Sequence, residues 1–202
     1  MVEAALEINH WCAGEVMYQG TDMRTGSALE IYRSGVGRCG EEAVFVVNVM
    51  RSAGIPARPV YVPRWSHCDD NHAWVEVWCD GDWHYLGACE PEAVLDKGWF
   101  TNAASRAMMI GSRWYDRAMP DEKVIGKDGM NRIINLLGKY AKTRWITITV
   151  EDLDGTPAAG AKVRAEVMNY GEFSPIAIME ADKNGCISFE TGFGSLLICA
   201  VY

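Results

Sequence analysis

The chain has 202 residues, 49% of them hydrophobic and 10% aromatic, enough for a medium domain plus a smaller one with packed cores rather than a disordered chain. Nineteen Lys and Arg against 27 Asp and Glu give a net charge of −8, which argues against nucleic acid or an anionic membrane as the main partner. No apolar stretch reaches membrane-spanning length, and Met1-Val2-Glu3-Ala4-Ala5 lacks a signal-peptide pattern, so any export signal is expected to lie outside this sequence.

Residues 1–33 read as helical. Leu6, Ile8, Trp11, Cys12, Val16 and Met17 fall mostly along one side, with Trp11 expected in the core. A turn at Gly20–Gly26 separates them from a second short apolar-periodic piece, Ser27–Tyr32. Next comes Gly35-Val36-Gly37-Arg38-Cys39-Gly40-Glu41-Glu42-Ala43, opening a run that a helix or a buried strand could suit. Its length of some fifteen residues, the spacing of Ala43, Val47 and Met50, and the stop at Gly54-Ile55-Pro56 favour a helix. A thiol at such an N-terminus faces unpaired N–H groups and the positive end of the helix dipole, both of which stabilise thiolate. A small buried core cysteine is the bland alternative.

Beyond Pro56 the period changes to that of strands. Arg58–Val62 is a short strand, 63–71 a polar loop with Trp65, and His72–Cys79 alternates. Asp80-Gly81 predicts a two-residue hairpin pairing Cys79 with Asp82 and Trp78 with Trp83. Carried back along the ladder, this register puts His72 opposite Cys89, with Gly87 diagonal to it, and His84 on the other face. Glu90-Pro91-Glu92 is read as the strand end, and Asn131–Lys142 as a strand or short helix.

From Thr143 the composition shifts. Strand patterns at 145–150, 161–167, 176–179, 186–189 and 196–201, separated by turns such as Asp152–Pro157 and Asp182–Gly185, predict a small all-β sandwich whose pattern still runs at Tyr202, so it is expected to be incomplete. Asp152 and Asp154 read as turn residues rather than calcium ligands. The expected division is therefore 1–142 and 143–202.

The seven cysteines form no C-x-x-C pair. Cys68, Cys79 and Cys89 with His67 or His72 match no common zinc spacing, so neither a metal nor an organic cofactor is expected. Cys39 followed by His72 is instead a nucleophile–base order, with His67 as a less well placed base and His10 and His84 as structural residues. The Cys39 backbone N–H is the first candidate oxyanion donor, and the Trp11 or Trp65 indole a second. Trp65, Trp11 and Tyr61 are candidate substrate-binding residues; Trp74 reads as packing.

Gly37-Arg38-Cys39-Gly40-Glu41-Glu42, Arg51–Arg58 and Asn71-His72-Ala73-Trp74-Val75-Glu76-Val77-Trp78, in this order, closely resemble the transglutaminase-like (transglutaminase/peptide N-glycanase) superfamily. The resemblance spans roughly residues 6–100. It implies an α+β, papain-like core with the cysteine on a central helix against an antiparallel sheet, Cys39 as nucleophile and His72 as general base and acid. Members usually carry an Asp on the strand after the His. Here Gly87 stands at that position, in Leu86-Gly87-Ala88-Cys89-Glu90-Pro91, and Asp96-Lys97-Gly98-Trp99 matches the glycanase branch as well. Glu90 is then the nearest carboxylate able to orient His72, with an exposed strand-end carboxylate as its bland reading. The C-terminal part resembles carboxypeptidase-regulatory-like or bacterial Ig-like sandwiches, through Asp154–Val163 and Asp182–Gly185, which favours a place outside the cytoplasm; the free thiols pull the other way. The expected function is a cysteine hydrolase acting on amide bonds of peptides, proteins or glycopeptides. Its alternative is a catalytically inactive peptide- or glycan-binding module on the same fold.

Overall fold

The structure, a computed structural model, describes residues 1–22, 24–115 and 123–202; Met23 of the 20–26 turn lies outside them. Chain contacts divide it into two compact units, residues 1–61 with 72–101 and residues 62–71 with 102–202.

The first unit begins with α1 (Val2–Glu15), β1 (Met17–Tyr18), α2 (Ala28–Ser34), β2 (Val36–Gly37) and α3 (Cys39–Ser52). α2 starts where its residues dictate: the Ser27 hydroxyl accepts from Glu30 N, and the Glu30 carboxylate accepts from Ser27 N, a reciprocal cap. β1 and β2 pair in parallel, Met17 with Val36 and Tyr18 with Gly37, which fixes the chain immediately before Cys39. β3 (Ala57–Val62), β4 (His72–Cys79) and β5 (Asp82–Leu86) follow. Val75, Val77 and Cys79 of β4 share one core with Ala43, Val46, Val47 and Met50 of α3 and Ala5 and Cys12 of α1.

Asp80 (φ 53°) and Gly81 (φ 97°) form the hairpin turn, and the predicted register holds from Cys79–Asp82 through Val75–Leu86. There the ladder stops, so His72 does not come opposite Cys89. Residues 87–90 fold into a tight turn instead, Glu90 N donating to Gly87 O at 3.2 Å. Cys89 sits at φ 57°, a conformation that cannot extend a strand. The second face of β4 is buried too: Trp74 and Glu76 are inaccessible, and Glu76 pairs with Arg58 of β3 at 2.5 Å. The Arg58 guanidinium lies 4.2 Å from the Trp83 ring centre. Trp11 is not in the core: it is 46% exposed, its indole packed on one side against Tyr32 of α2 and Phe45 of α3.

The second unit is β-rich. β6 (Gly111–Tyr115), β7 (Val124–Asp128) and β8 (Asn131–Asn135) are antiparallel, with β8 between the other two, and a 3-10 turn follows at Leu137–Lys139. β9 (Arg144–Thr149) pairs with β12 (Cys186–Thr191), while β10 (Lys162–Asn169) lies between β11 (Glu172–Glu180) and β13 (Leu197–Val201). Alternate residues of these sheets, Val163, Ala165, Val167, Ile176 and Met179 with Ile187 and Phe189, bury one shared core. Asp152 and Asp182 are turn builders: Asp152 Oδ1 accepts from the N–H groups of Asp154 and Thr156, Asp182 Oδ1 from those of Asn184 and Cys186. The protein thus combines helices with antiparallel sheet, an α+β fold.

Candidate active site

Cys39 is the first residue of α3 and is half-buried. Its sulfur accepts backbone N–H groups from Gly40, in its own first turn, and from Ala73 of β4. The second bond brings the thiol to the residue adjoining His72. Burial pushes the Cys39 thiol up from its ordinary value, while those two N–H donors and the Arg38 charge pull it down. Burial wins, so the helix end does not by itself make a thiolate; the proton needs an acceptor.

Glu41 holds this helix start in place. Its carboxylate accepts from Thr21 Oγ1 at 2.6 Å, Gly26 N at 3.0 Å and Arg38 N at 3.2 Å, tying the turn before α2 and the residue before Cys39 to α3. Desolvation would raise its carboxyl, but these donors bring it below the ordinary range.

His72, the first residue of β4, is buried within an aromatic cage. Ring centres of Trp99, Phe100 and Trp74 lie 4.6, 4.9 and 5.8 Å from its own. Trp74 and Phe100 are inaccessible and stacked at 4.7 Å, whereas Trp99 is 65% exposed and so forms the open wall of the cage. Among these, Trp99 is the residue that sequence reading named only within a motif and not as a site residue.

At Gly87 a side chain cannot fit: a Cβ there would lie 2.3 Å from Glu90 Oε2 and 2.8 Å from Glu90 Cβ. The Glu90 carboxylate therefore fills the space into which a residue at 87 would project. Trp99 Nε1 donates to Glu90 Oε1 at 2.9 Å, so the indole beside His72 also holds Glu90, while Glu90 Oε2 is buried without a hydrogen bond. The turn bearing Glu90 is clipped to α1 by Asn9, which is 1% exposed. Asn9 Nδ2 donates to Gly87 O (2.9 Å) and to Glu90 O (3.4 Å), and its Oδ1 accepts from Cys89 N (3.1 Å). No local sequence signal marks Asn9, because its partners are 78 to 81 residues away.

Glu42, one helical turn past Cys39, is 4% exposed. Burial, then the charge of Glu90, pushes its carboxyl up to about 8. Burial raises Glu90 as well, against the Trp99 N–H. The three-residue interval from Cys39 was legible in the sequence; that the position is buried was not.

Other candidates are placed elsewhere. Trp65 is 2% exposed, so it offers no surface to a substrate. Its loop is fastened within the second unit by Asn169, whose Nδ2 donates to Trp65 O, Cys68 O and Asp70 O. Trp11 lines a shallow depression with Leu29, Tyr32 and Phe45, and Tyr61 is half-buried on β3. His67 lines a cavity of about 980 Å³ in the second unit with Arg106, Tyr140, Lys142 and Phe193; size alone does not mark the chemistry, since neither Cys39 nor His72 borders it. His84 faces away from His72 and bonds Asp96 Oδ2 through Nδ1 at 2.6 Å.

Residues 1–88 match the family profile described as the transglutaminase-like superfamily. Among curated proteins none matches. Solved structures of similar shape include LapG of Legionella pneumophila, at 17% identity over 47% of this chain and 58% of that one with a TM-score of 0.39. A candidate cysteine protease from Cytophaga hutchinsonii is 19% identical over 65% of this chain and 51% of that one, also at 0.39. The chain thus spans between 51% and 58% of the length of those two proteins. The stretch matched by the profile, under half of the chain, contains α1 through the end of β5 and both Cys39 and His72.

Proposed function

We propose that this protein is a cysteine hydrolase that cleaves amide bonds of peptides, proteins or glycopeptides through a thioester on Cys39. The observation that carries the reading is Cys39 as the first residue of α3, half-buried with the Ala73 and Gly40 N–H groups acting on its thiol, so that it lies against the strand that opens with the buried His72. His72 takes the thiol proton as sulfur attacks the carbonyl carbon, then delivers it to the leaving amine as the C–N bond breaks. Water, deprotonated by His72, attacks the thioester; the acid leaves and the thiol is restored. First-turn N–H groups of α3 are the donors available to the developing oxyanion. Glu90 acts through His72, as a positioning carboxylate in the place that Gly87 leaves open. The exposed Trp99 indole beside His72 is suited to an apolar or sugar face of the substrate, which favours the narrower glycopeptide version. The β-rich residues 143–202 would accompany this core as an Ig-like or carboxypeptidase-regulatory-like sandwich.

Iodoacetamide alkylation read by mass spectrometry tests the pair. Since burial raises the Cys39 thiol, rapid modification at neutral pH requires His72 as proton acceptor. Cys39 of the wild type should react at least about tenfold faster than in His72→Ala. Equal rates would favour the binding-module reading instead.

A further inference from the structure

The turn that carries Glu90 and the loop that follows it meet at Trp99. The Glu90 carboxylate has one hydrogen-bond partner among the described residues: Oε1 accepts from Trp99 Nε1 at 2.9 Å, while Oε2 has none. The Trp99 ring centre lies 4.6 Å from that of His72, nearer than those of Phe100 and Trp74. One side chain therefore touches both residues. Its loop is fastened at both ends to Tyr85 of β5. At the start, Asp96 N donates to Tyr85 O at 2.9 Å and Asp96 Oδ1 accepts from Tyr85 N at 3.0 Å. At the end, Thr101 Oγ1 accepts from Gly98 N at 3.1 Å and bonds the Tyr85 hydroxyl at 2.9 Å. Gly98 lets the Phe100 ring fold back over it, since a Cβ there would stand 2.6 Å from Phe100 Cε1. Phe100 is thereby locked in the interior, whereas Trp99 is 65% exposed. An aromatic side chain so open to solvent needs an anchor to hold one orientation, and the Glu90 bond supplies it.

We propose that Trp99 is a positioning residue of the Cys39–His72 dyad, the link through which Glu90 holds His72: the carboxylate fixes the indole, and the indole fixes the imidazole. The inference rests on the cysteine-hydrolase reading and gives the route by which Glu90 acts. An acceptor oxygen at position 90 suffices for this route, because the indole N–H needs a lone pair rather than a charge. Direct pairing of a carboxylate with the imidazolium would need the charge itself. The two routes part at Glu90→Gln, whose amide oxygen can still accept from Trp99.

The test uses the full chain and two readouts: the iodoacetamide rate of Cys39 at neutral pH, and the His72 ring resonances in 13C-histidine NMR, which the Trp99 ring current displaces. His72→Ala identifies those resonances. Glu90→Ala should slow alkylation roughly three- to tenfold and move the His72 resonances. Trp99→Phe, which keeps a ring and loses the donor, should slow alkylation by as much, and the two substitutions combined should add nothing further. Glu90→Gln should stay within about twofold of the wild-type rate, with the His72 resonances in place. A Glu90→Gln variant as slow as Glu90→Ala would overturn the link in favour of a direct charge. Effects of Trp99→Phe and Glu90→Ala that multiply, or His72 resonances that ignore Glu90→Ala, would overturn it as well. Should Glu90→Ala fail to fold, a slow Trp99→Phe beside an unimpaired Glu90→Gln supports the link, and any other pairing of those two rates overturns it. Failure of the hydrolase reading is seen separately, as a Cys39 whose reactivity ignores His72→Ala while the His72 resonances still respond to Glu90→Ala and not to Glu90→Gln.

Discussion

Glu42 in the first unit and Glu190 in the second are buried to nearly the same degree, yet they are displaced in opposite directions. Desolvation opposes charge on both. Glu190 accepts from Lys123 Nζ and Thr143 Oγ1, and its carboxyl ends below the ordinary range. Glu42 has no such donors, and burial, then the charge of Glu90, takes it above that range. The same contrast divides the two buried asparagines: Asn169 fastens a loop inside the second unit, whereas Asn9 fastens the turn that carries Glu90. Glu190 in the second unit is supplied with donors, whereas in the first unit one oxygen of Glu90 is left without one, near the candidate imidazole, which is the arrangement expected where charge must move.

The contrast can be broken most severely at the dyad. Cys39→Ala or His72→Ala should lower amide hydrolysis of a cleaved peptide or glycopeptide by about 10³-fold or more, with folding unchanged by circular dichroism. Next in size is the carboxylate exchange. Glu90→Ala should cost roughly 10- to 100-fold in kcat. Gly87→Asp alone should destabilise by about 1–3 kcal/mol, because its Cβ would meet the Glu90 side chain. The double variant Gly87→Asp/Glu90→Ala should recover the rate and part of the stability, since the Glu90 carboxylate is gone while the Cβ at 90, 2.8 Å from a Cβ at 87, remains. A double-mutant cycle with no coupling would show that Glu90 does not hold that place.

Asparagine replacements sharpen the comparison between units. Asn9→Ala and Asn169→Ala should each cost about 1–3 kcal/mol in urea unfolding, since each leaves buried backbone groups unpaired. Only Asn9→Ala should also slow Cys39 alkylation. The pH dependence of stability should separate the two glutamates. Glu42, raised from 4.5 to about 8, binds its proton more tightly when folded, so its stabilising effect is complete at low pH and is lost as pH rises between those values. A Tm roughly 5 °C lower at pH 8 than at pH 5 is expected, and Glu42→Gln should flatten it. Glu190 works the other way: its contribution is present above the ordinary carboxyl value and disappears as pH falls through its lowered one, so Glu190→Gln should blunt acid unfolding. The smallest effect belongs to the exposed His84–Asp96 pair. Its hydrogen bond raises His84, giving stability below the ordinary imidazole value that fades as pH climbs through the raised one; Asp96→Asn should remove no more than about 0.5 kcal/mol at pH 6.

The sequence by itself determined the local elements and named the two residues of the proposed dyad. The Ser27–Glu30 cap, the helix opening at Cys39, the Asp80-Gly81 turn with its register and the strands from β9 to β13 all rest on interactions between near neighbours, which local pattern encodes. Cys39 and His72 were legible because their residue types at those element ends suit nucleophile and base. Only the tertiary structure decided the rest. The hairpin ladder ended three residues before it could reach His72, because Cys89 adopts a left-handed backbone in a turn held by Asn9. Trp65 was buried in a loop that an asparagine 104 residues away fastens, and Trp11 was left half-exposed. Glu90 came into the Gly87 space, and Glu42 beside it, through the packing of α1 and α3 around that turn. Burial, and with it the charge a carboxyl can hold, is set by every segment that closes over a side chain, and those segments are far apart in sequence.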